Sequence, residues 1–77
     1  MHLKELMTPH VEVIAPEASI SEAAQQMRHL DIGPLPVCEG EWLVSMLTDR
    51  DITVQAVAEG RGPVTTLVRE VMPPDLV

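Results

Sequence analysis

Four consecutive residues, Thr48 to Asp51, combine side chains that could bind a ribose-phosphate group. The surrounding sequence predicts that a strand ends and a helix begins here, and a helix N-terminus offers unpaired N–H donors with a partial positive charge. The Thr48 hydroxyl could donate to a phosphate oxygen, and the Arg50 guanidinium could add a full positive charge. Asp51 could accept hydrogen bonds from both hydroxyls of a ribose diol. We therefore take this segment as the candidate binding site.

The same spacing also predicts a purely structural role. Thr48 and Asp51 fit a capping box, in which the side chains of the N-cap residue and the third helical residue each satisfy a backbone N–H. Asp is also favoured in the first helical turn because it lies near the positive end of the helix dipole. Spacing alone leaves both interpretations open.

The remaining reactive side chains form no recognisable constellation. His2, His10 and His29 lack the spacing of a metal site, and Cys38 lies far from them in the sequence. A nucleophilic role for Cys38 is disfavoured because the neighbouring Glu39 charge opposes its thiolate form. No pattern joins a nucleophile to a base, so we expect no catalytic residue, no metal and no bound cofactor.

The composition of the chain argues against two classes of partner, nucleic acids and membranes. The chain has 77 residues and a net charge of −7, from 12 acidic and 5 basic residues. The basic residues do not cluster, which argues against nucleic acid as a partner. No apolar run approaches the ~20 residues that span a bilayer, and no signal peptide is evident, so we expect no membrane partner. The single cysteine fits a reducing compartment, and we expect a cytoplasmic location.

The periodicity of apolar residues predicts a small α+β unit. Ser19 and Glu22 form a capping-box pattern at the start of a helix that Gly33 is placed to end. Two apolar runs around a Gly-containing turn indicate a β-hairpin. The predicted elements are a strand over residues 11–15, a helix from Ser19, hairpin strands over 35–38 and 42–47, and a helix from Thr48 to about Glu59 with Gly60 at its end. The expected architecture is a three-stranded sheet with both helices packed on one face.

A short internal repeat divides the chain. Residues 3–9 are LKELMTP and residues 68–74 are VREVMPP, so that six of the seven pairs match in kind. Such a repeat marks the opening of a structural unit, which buries its apolar face by stacking on a neighbour. The sequence therefore predicts one complete unit over residues 1–67 and the truncated beginning of a second over residues 68–77.

The whole chain resembles the CBS domain family, whose members usually occur as tandem pairs. Four motifs carry the resemblance: LMTP at residues 6–9, APEASISEA at 15–23, IGPLPV at 32–37 and LTDRDI at 47–52. Each motif is weak by itself, but all four occur in order and at the spacing of the family. The resemblance implies a β-α-β-β-α core, which agrees with the order of elements that the apolar pattern predicts.

The resemblance also implies a ligand and a set of contacts. The family usually binds adenosine compounds, namely AMP, ADP, ATP or S-adenosylmethionine. By similarity, Asp51 would hold the ribose, Thr48 would contact ribose or phosphate, and Arg50, at a variable family position, would contact phosphate. The adenine slot would lie between the first strand and the start of the hairpin, with walls from Val11, Val13, Leu35 and Pro36. Two residues depart from the family pattern: Ser45 stands where Gly is frequent, and Val13 where many ligand-binding members have Thr.

Two functions follow as expectations. The first is a regulatory module that senses an adenosine compound and pairs with a second CBS repeat, here through a homodimer. The second is an interaction module of the same fold that dimerises and binds no ligand. The Thr48–Asp51 segment favours the first function, and Ser45 in place of Gly favours the second.

Overall fold

The fold was obtained as a computed structural model, which describes residue 2 and residues 12–74. It contains helix α1 (Ile20–Leu30), strands β1 (Pro34–Glu39) and β2 (Trp42–Thr48), helix α2 (Asp49–Ile52) and helix α3 (Val68–Val71). A π-helical segment, Thr53–Val57, continues α2 without interruption. The predicted α+β class is confirmed.

Helix α1 begins where the sequence predicts and ends earlier. The Ser19 hydroxyl accepts a hydrogen bond from the Glu22 backbone N–H at 3.1 Å. At the other end, Asp31 adopts a left-handed conformation with a φ of 56°. The N–H groups of Asp31 and Ile32 bond to the carbonyls of Arg28 and Met27, which is a Schellman motif. The prediction that Gly33 ends this helix is wrong, because Asp31 reaches the left-handed region without a glycine.

The predicted hairpin is confirmed. Strands β1 and β2 are antiparallel, with Leu35 opposite Leu47 and Val37 opposite Ser45. The register shifts between Val37 and Cys38, so that Val44 is an extra residue in β2. The left-handed Gly40, with a φ of 61°, lies in the turn between the strands.

The sheet of the described residues has two strands rather than the three that were predicted. From the predicted strand over residues 11–15, only Ile14 pairs with β1, in an isolated parallel bridge to Val37. Its N–H donates to the Pro36 carbonyl and its carbonyl accepts from the Cys38 N–H, both at 2.9 Å. Pro16 follows two residues later and has no N–H with which to extend the ladder. Val11, the predicted beginning of this strand, lies outside the described residues.

The second helix follows the predicted span with altered geometry. It begins after its N-cap Thr48 and ends at Val57, two residues before the predicted end at Glu59, and a turn leads on to the left-handed Gly60, with a φ of 74°. Its second half is π-helical, with the Ala58 N–H bonded to the Thr53 carbonyl at 2.9 Å. This half contains the β-branched residues Thr53, Val54 and Val57, which lower helix propensity. The weaker sequence signal for this helix corresponds to its less regular structure.

The core lies between the hairpin and the helices. One face of the hairpin contributes Leu35, Val37 and Leu47, and both long helical segments contribute to the same cluster. The members of this cluster are Ile14, Ile20, Ala23, Met27, Leu35, Val37, Leu47, Ala56, Val68 and Val71. The last two belong to α3, so residues that the repeat assigned to a second unit pack into the core of the first.

Candidate functional site

The predicted site residues Thr48 and Asp51 lie at the junction of β2 and α2 and contact each other. The Thr48 hydroxyl accepts a hydrogen bond from the Asp51 N–H at 3.2 Å, and Asp51 Oδ2 accepts from the Thr48 N–H at 2.8 Å. The Thr48 hydroxyl also donates to Asp51 Oδ2, at 3.0 Å. These bonds complete a reciprocal capping box. The structural interpretation of this pair is therefore realised in the protein.

The capping box leaves polar groups at the junction available. Both bonds to the Asp51 carboxylate are made by Oδ2, and Oδ1 has no hydrogen bond with the described residues. The Thr48 and Asp51 side chains are half-buried. Arg50 is exposed, and its guanidinium forms no ion pair with the part of the chain that the structure describes. One carboxylate oxygen and one full positive charge could therefore meet a ligand without breaking the cap.

Asp49 links this junction to the start of the hairpin. Its N–H donates to the Gly33 carbonyl at 3.2 Å, and its carboxylate Oδ1 accepts from the Arg50 N–H at 3.0 Å. Its carbonyl accepts from the Thr53 hydroxyl at 2.9 Å. A Cβ on Gly33 would lie in ordinary contact with Asp49 Oδ1, at 3.5 Å. Asp49 therefore has structural contacts on both sides, a role that the sequence interpretation missed.

The sheet brings Val13 and the start of β1 toward the same edge. Pro34 pairs with Thr48, so the start of β1 lies beside the end of β2. The bridge between Ile14 and Val37 is parallel, so the residues before Ile14 run toward the start of β1. Val13 is therefore directed toward the edge at which Thr48 lies. Three separate segments of the sequence, at Val13, Pro34 and Thr48, therefore lie toward one edge of the sheet.

The predicted slot residues differ in how much of each is accessible. Leu35 is 0% exposed and its side chain lies in the core, so it could offer a ligand only its backbone. Pro36 is half-buried, and its carbonyl is occupied by the Ile14 N–H. Val13 is half-buried, and its carbonyl accepts a hydrogen bond from the Gln26 side chain at 3.1 Å. Val11 lies outside the described residues, and the use of all four as slot walls stays a prediction.

Gln26 is a residue near the site that the sequence interpretation did not single out. Its amide holds the segment before Ile14 against α1. A signal was present, because Gln26 lies three residues after the buried Ala23 and next to the buried Met27, on the inner side of the helix. A polar residue at such a position usually needs a defined partner.

Two surface grooves lie elsewhere. One, with a volume of about 890 Å³, is lined by Gln25, Gln26, Arg28 and His29 of α1. The other, of about 260 Å³, is lined by Pro16, Glu17, Glu39, Val44, Arg69 and Met72. Among their described lining residues, neither contains Thr48, Arg50 or Asp51. Gln26 connects the first groove to Val13, and the second borders the segment around α3.

Two observations on the described residues concern nucleophilic and metal chemistry. Burial raises the pKa of the Cys38 thiol, which disfavours the reactive thiolate. Within residue 2 and residues 12–74, no three His, Cys, Asp or Glu side chains are placed to hold a metal ion. No helix in the same part of the chain is long and apolar enough to cross a membrane.

The sequence matches the model of the CBS domain over residues 3–56. The CBS domain-containing protein YhcV of Bacillus subtilis is 43% identical over 75 residues, which are 97% of this chain and 53% of that protein. Hypoxic response protein 1 of Mycobacterium tuberculosis is 38% identical over 68 residues, covering 87% of this chain and 48% of the relative. The chain therefore spans about half the length of these curated relatives.

Solved structures agree with the sequence matches. The crystal structure of Hypoxic Response Protein I with two coordinated zinc ions has a TM-score of 0.79 at 33% identity, over 100% of this chain and 63% of that one. The hexameric CBS-CP12 protein from bloom-forming cyanobacteria has a TM-score of 0.77 at 26% identity, over 100% of this chain and 44% of the other. These likenesses cover the junction of β2 and α2 as well as the core.

Proposed function

Because the chain belongs to the CBS domain family, we propose that it is a non-catalytic regulatory module that senses an adenosine compound and pairs with a second CBS repeat. The observation that carries the proposal is the junction of β2 and α2. There, Asp51 keeps one carboxylate oxygen without a partner among the described residues, beside the exposed Arg50.

The ligand would be held at its ribose and at its first phosphate or equivalent group. Asp51 Oδ1 would accept from the ribose hydroxyls, and Arg50 would approach the phosphate. Thr48 would contribute its hydroxyl while its N–H stays in the cap. The base would enter toward Val13 and Pro36, where the backbone of the parallel bridge begins.

Charge favours the less anionic ligands. At the junction, the described residues place one cation, Arg50, beside the two carboxylates of Asp49 and Asp51, and the whole chain has a net charge of −7. A triphosphate would be repelled more strongly than a monophosphate. We therefore expect AMP or S-adenosylmethionine to bind more tightly than ATP, with the difference shrinking as salt is added.

Pairing is the second part of the proposal. In the proposed pairing, a second copy of the chain would supply the second CBS repeat of a two-fold symmetric dimer. The hexamer formed by the similar CBS-CP12 protein supports assembly as a property of this fold. Val54 and Val57 are 43% and 68% exposed on the second helix and offer apolar surface to a partner.

Thermal unfolding in the presence of AMP, S-adenosylmethionine or ATP tests the proposal. A ligand present at 100 times its Kd adds about 2.7 kcal/mol to the stability. For a domain of this size that raises the Tm by roughly 10–20 °C. We expect D51N to abolish the shift, and D49N, at the adjacent carboxylate, to retain most of it. Equal shifts in the two variants would refute the assignment of Asp51.

A second function, a ligand-free dimerisation module, is favoured by one observation. The Thr48 and Asp51 side chains already satisfy each other, so the cap needs no ligand to be complete. If no adenosine compound shifts the Tm while sedimentation shows a dimer, this function is the better account.

A further inference from the structure

The chain just before Ile14 is tied to α1 by the side chain of Gln26. Gln26 Nε2 donates to the Val13 carbonyl oxygen at 3.1 Å, across 13 residues of the sequence. The adjacent Gln25 is exposed, and its amide bonds within the helix, to the Ser21 hydroxyl at 3.2 Å. Of these two neighbouring glutamines, Gln26 is therefore the one that reaches the edge of the sheet where the base of the proposed ligand would lie.

The backbone at this edge has few hydrogen-bonding groups left for a base. Ile14 directs both its N–H and its carbonyl to β1, so the N–H and carbonyl of the neighbouring Val13 point away from β1. The Val13 carbonyl is bonded by Gln26, and the Pro36 carbonyl by the Ile14 N–H. Pro36 has no N–H to donate. One donor is left, the Val13 N–H, which forms no hydrogen bond with the described residues.

The Gln26 side chain supplies the acceptor that these backbone groups lack. A carboxamide has one NH₂ group and one carbonyl oxygen, and the bond to Val13 fixes the NH₂ end against the backbone. The other end, Gln26 Oε1, has no hydrogen bond with the part of the chain that the structure describes. Gln26 also lines the groove of about 890 Å³ along α1, so its amide borders open space. The free donor and the free acceptor thus belong to two residues that are in hydrogen-bond contact.

We propose that Gln26 is a specificity-determining residue of the adenosine site, which selects a purine with an exocyclic amine. Adenine presents an amine donor beside a ring-nitrogen acceptor, and these complement the Gln26 Oε1 acceptor and the Val13 N–H donor. Hypoxanthine and guanine present a carbonyl acceptor beside a ring N–H donor, so each group would face one of its own kind. Such a mismatch leaves polar groups unpaired on both sides, which sites built on hydrogen bonds reject strongly. The inference rests on the proposed function and adds the side chain that reads the base.

A comparison of AMP with IMP isolates the base, because the two nucleotides carry the same ribose and phosphate. With isothermal titration calorimetry on the whole chain, we expect AMP to bind about tenfold more tightly than IMP. Q26M keeps the length and helix propensity of the side chain but has no amide, and should reduce the preference to below about threefold. Q25M is the matched control and should retain the preference of the parent. A folded Q26M that prefers AMP as strongly as the parent overturns the proposal.

A nucleotide without the amine tests the same contact on the parent chain. Purine riboside 5′-monophosphate has a hydrogen in place of the exocyclic amine and keeps the ring nitrogen. We expect it to bind about fivefold more weakly than AMP to the parent, and within about twofold of AMP to Q26M, which assigns the loss to the contact between Gln26 and the amine. If Q26M does not fold, the parent decides alone, and equal affinity for the two nucleotides overturns the proposal.

Failure of the proposed function gives a different result from failure of this inference. A parent chain that binds neither AMP nor IMP at millimolar concentration refutes the proposed function, and the role of Gln26 falls with it. A parent chain that binds AMP and IMP equally retains a nucleotide site, and refutes only the selection of the amine by Gln26.

Discussion

The junction of β2 and α2 and the segment over residues 66–74, called the docked segment, are stabilised by different kinds of contact. At the junction, Thr48 and Asp51 satisfy each other within four residues, and no residue of α2 is buried. In the docked segment, Val68 and Val71 are buried among residues from distant parts of the chain. Local hydrogen bonds stabilise the junction, whereas tertiary contacts hold the docked segment in place.

This difference separates the residues that could contact a ligand from the residues that stabilise the fold. Side chains at the junction can be changed without opening the core, so the region is free to carry a ligand contact. The docked segment cannot be removed without exposing apolar surface that the unit needs to bury. The repeat in the sequence marks residue 68 as the start of a second unit, yet the first unit is completed by residues beyond that boundary.

The largest effect is expected from truncating Val68. V68A removes two methyl groups from a fully buried position and leaves a cavity, which should lower the free energy of unfolding by roughly 2 kcal/mol. Val64, which is 74% exposed just before the docked segment, is the matched control. V64A should change the stability by less than about 0.5 kcal/mol. Urea unfolding measures both variants, and equal midpoints would mean that the docked segment is not part of the folding unit.

A smaller loss is expected at Ser45. S45A removes the hydroxyl that donates to the Pro73 carbonyl and leaves that carbonyl without its partner, at a cost of about 1–2 kcal/mol. S21A is the control, because the Ser21 hydroxyl accepts an exposed hydrogen bond from Gln25 at 3.2 Å. Hydrogen exchange should show faster exchange of the Val68 and Arg69 amides in S45A than in the parent. Unchanged exchange of these two amides would show that the Ser45 hydroxyl does not stabilise the docked segment.

The elements that sequence predicts well are those with local causes. The hairpin follows from two apolar runs around Gly40, and the start of the second helix from its cap at Thr48. The end of α1 was placed wrongly, because Asp31 took the left-handed position that the pattern reserved for glycine. The third strand was reduced to a bridge at Ile14, since its length depends on tertiary pairing rather than on its own β-branched residues.

The sequence predicts the capping-box bonds between Thr48 and Asp51, but not the contacts of the other candidate site residues. Thr48 and Asp51 could be named from spacing, because both the cap and the ligand site need the same residue types. That Leu35 is buried and that the Val13 carbonyl is bound by Gln26 depend on packing between α1 and β1. The role of Ser45 was beyond reach for the same reason, since its partner Pro73 lies 28 residues away.

The N-caps of α1 and α2 test how much the local hydrogen bonds at the junction contribute to stability. T48A breaks a reciprocal cap in which Thr48 and Asp51 are joined by three hydrogen bonds, and should cost about 1–2 kcal/mol. S19A removes a single bond to the Glu22 N–H and should cost about 0.5–1 kcal/mol. T48S keeps the hydroxyl and is expected to stay within about 0.5 kcal/mol of the parent. Chemical denaturation gives the free energy of unfolding of the three variants. If T48A loses no more stability than S19A, the reciprocal bonds do not contribute to stability.

The smallest effect is expected from the ion pair between Glu17 and Arg69, and its dependence on salt concentration identifies it as electrostatic. The two side chains are 58% and 51% exposed, so their attraction is screened by water and contributes about 0.2–1 kcal/mol at most. E17K places two positive charges together and should lower the Tm by a few degrees at low ionic strength. The loss should shrink as the salt concentration rises, because the Debye length falls to roughly 3 Å at 1 M. The double variant E17K/R69E restores opposite charges and should recover most of the Tm, whereas a deficit that persists in the double variant and at high salt would mean that Glu17 and Arg69 act through packing of their stems.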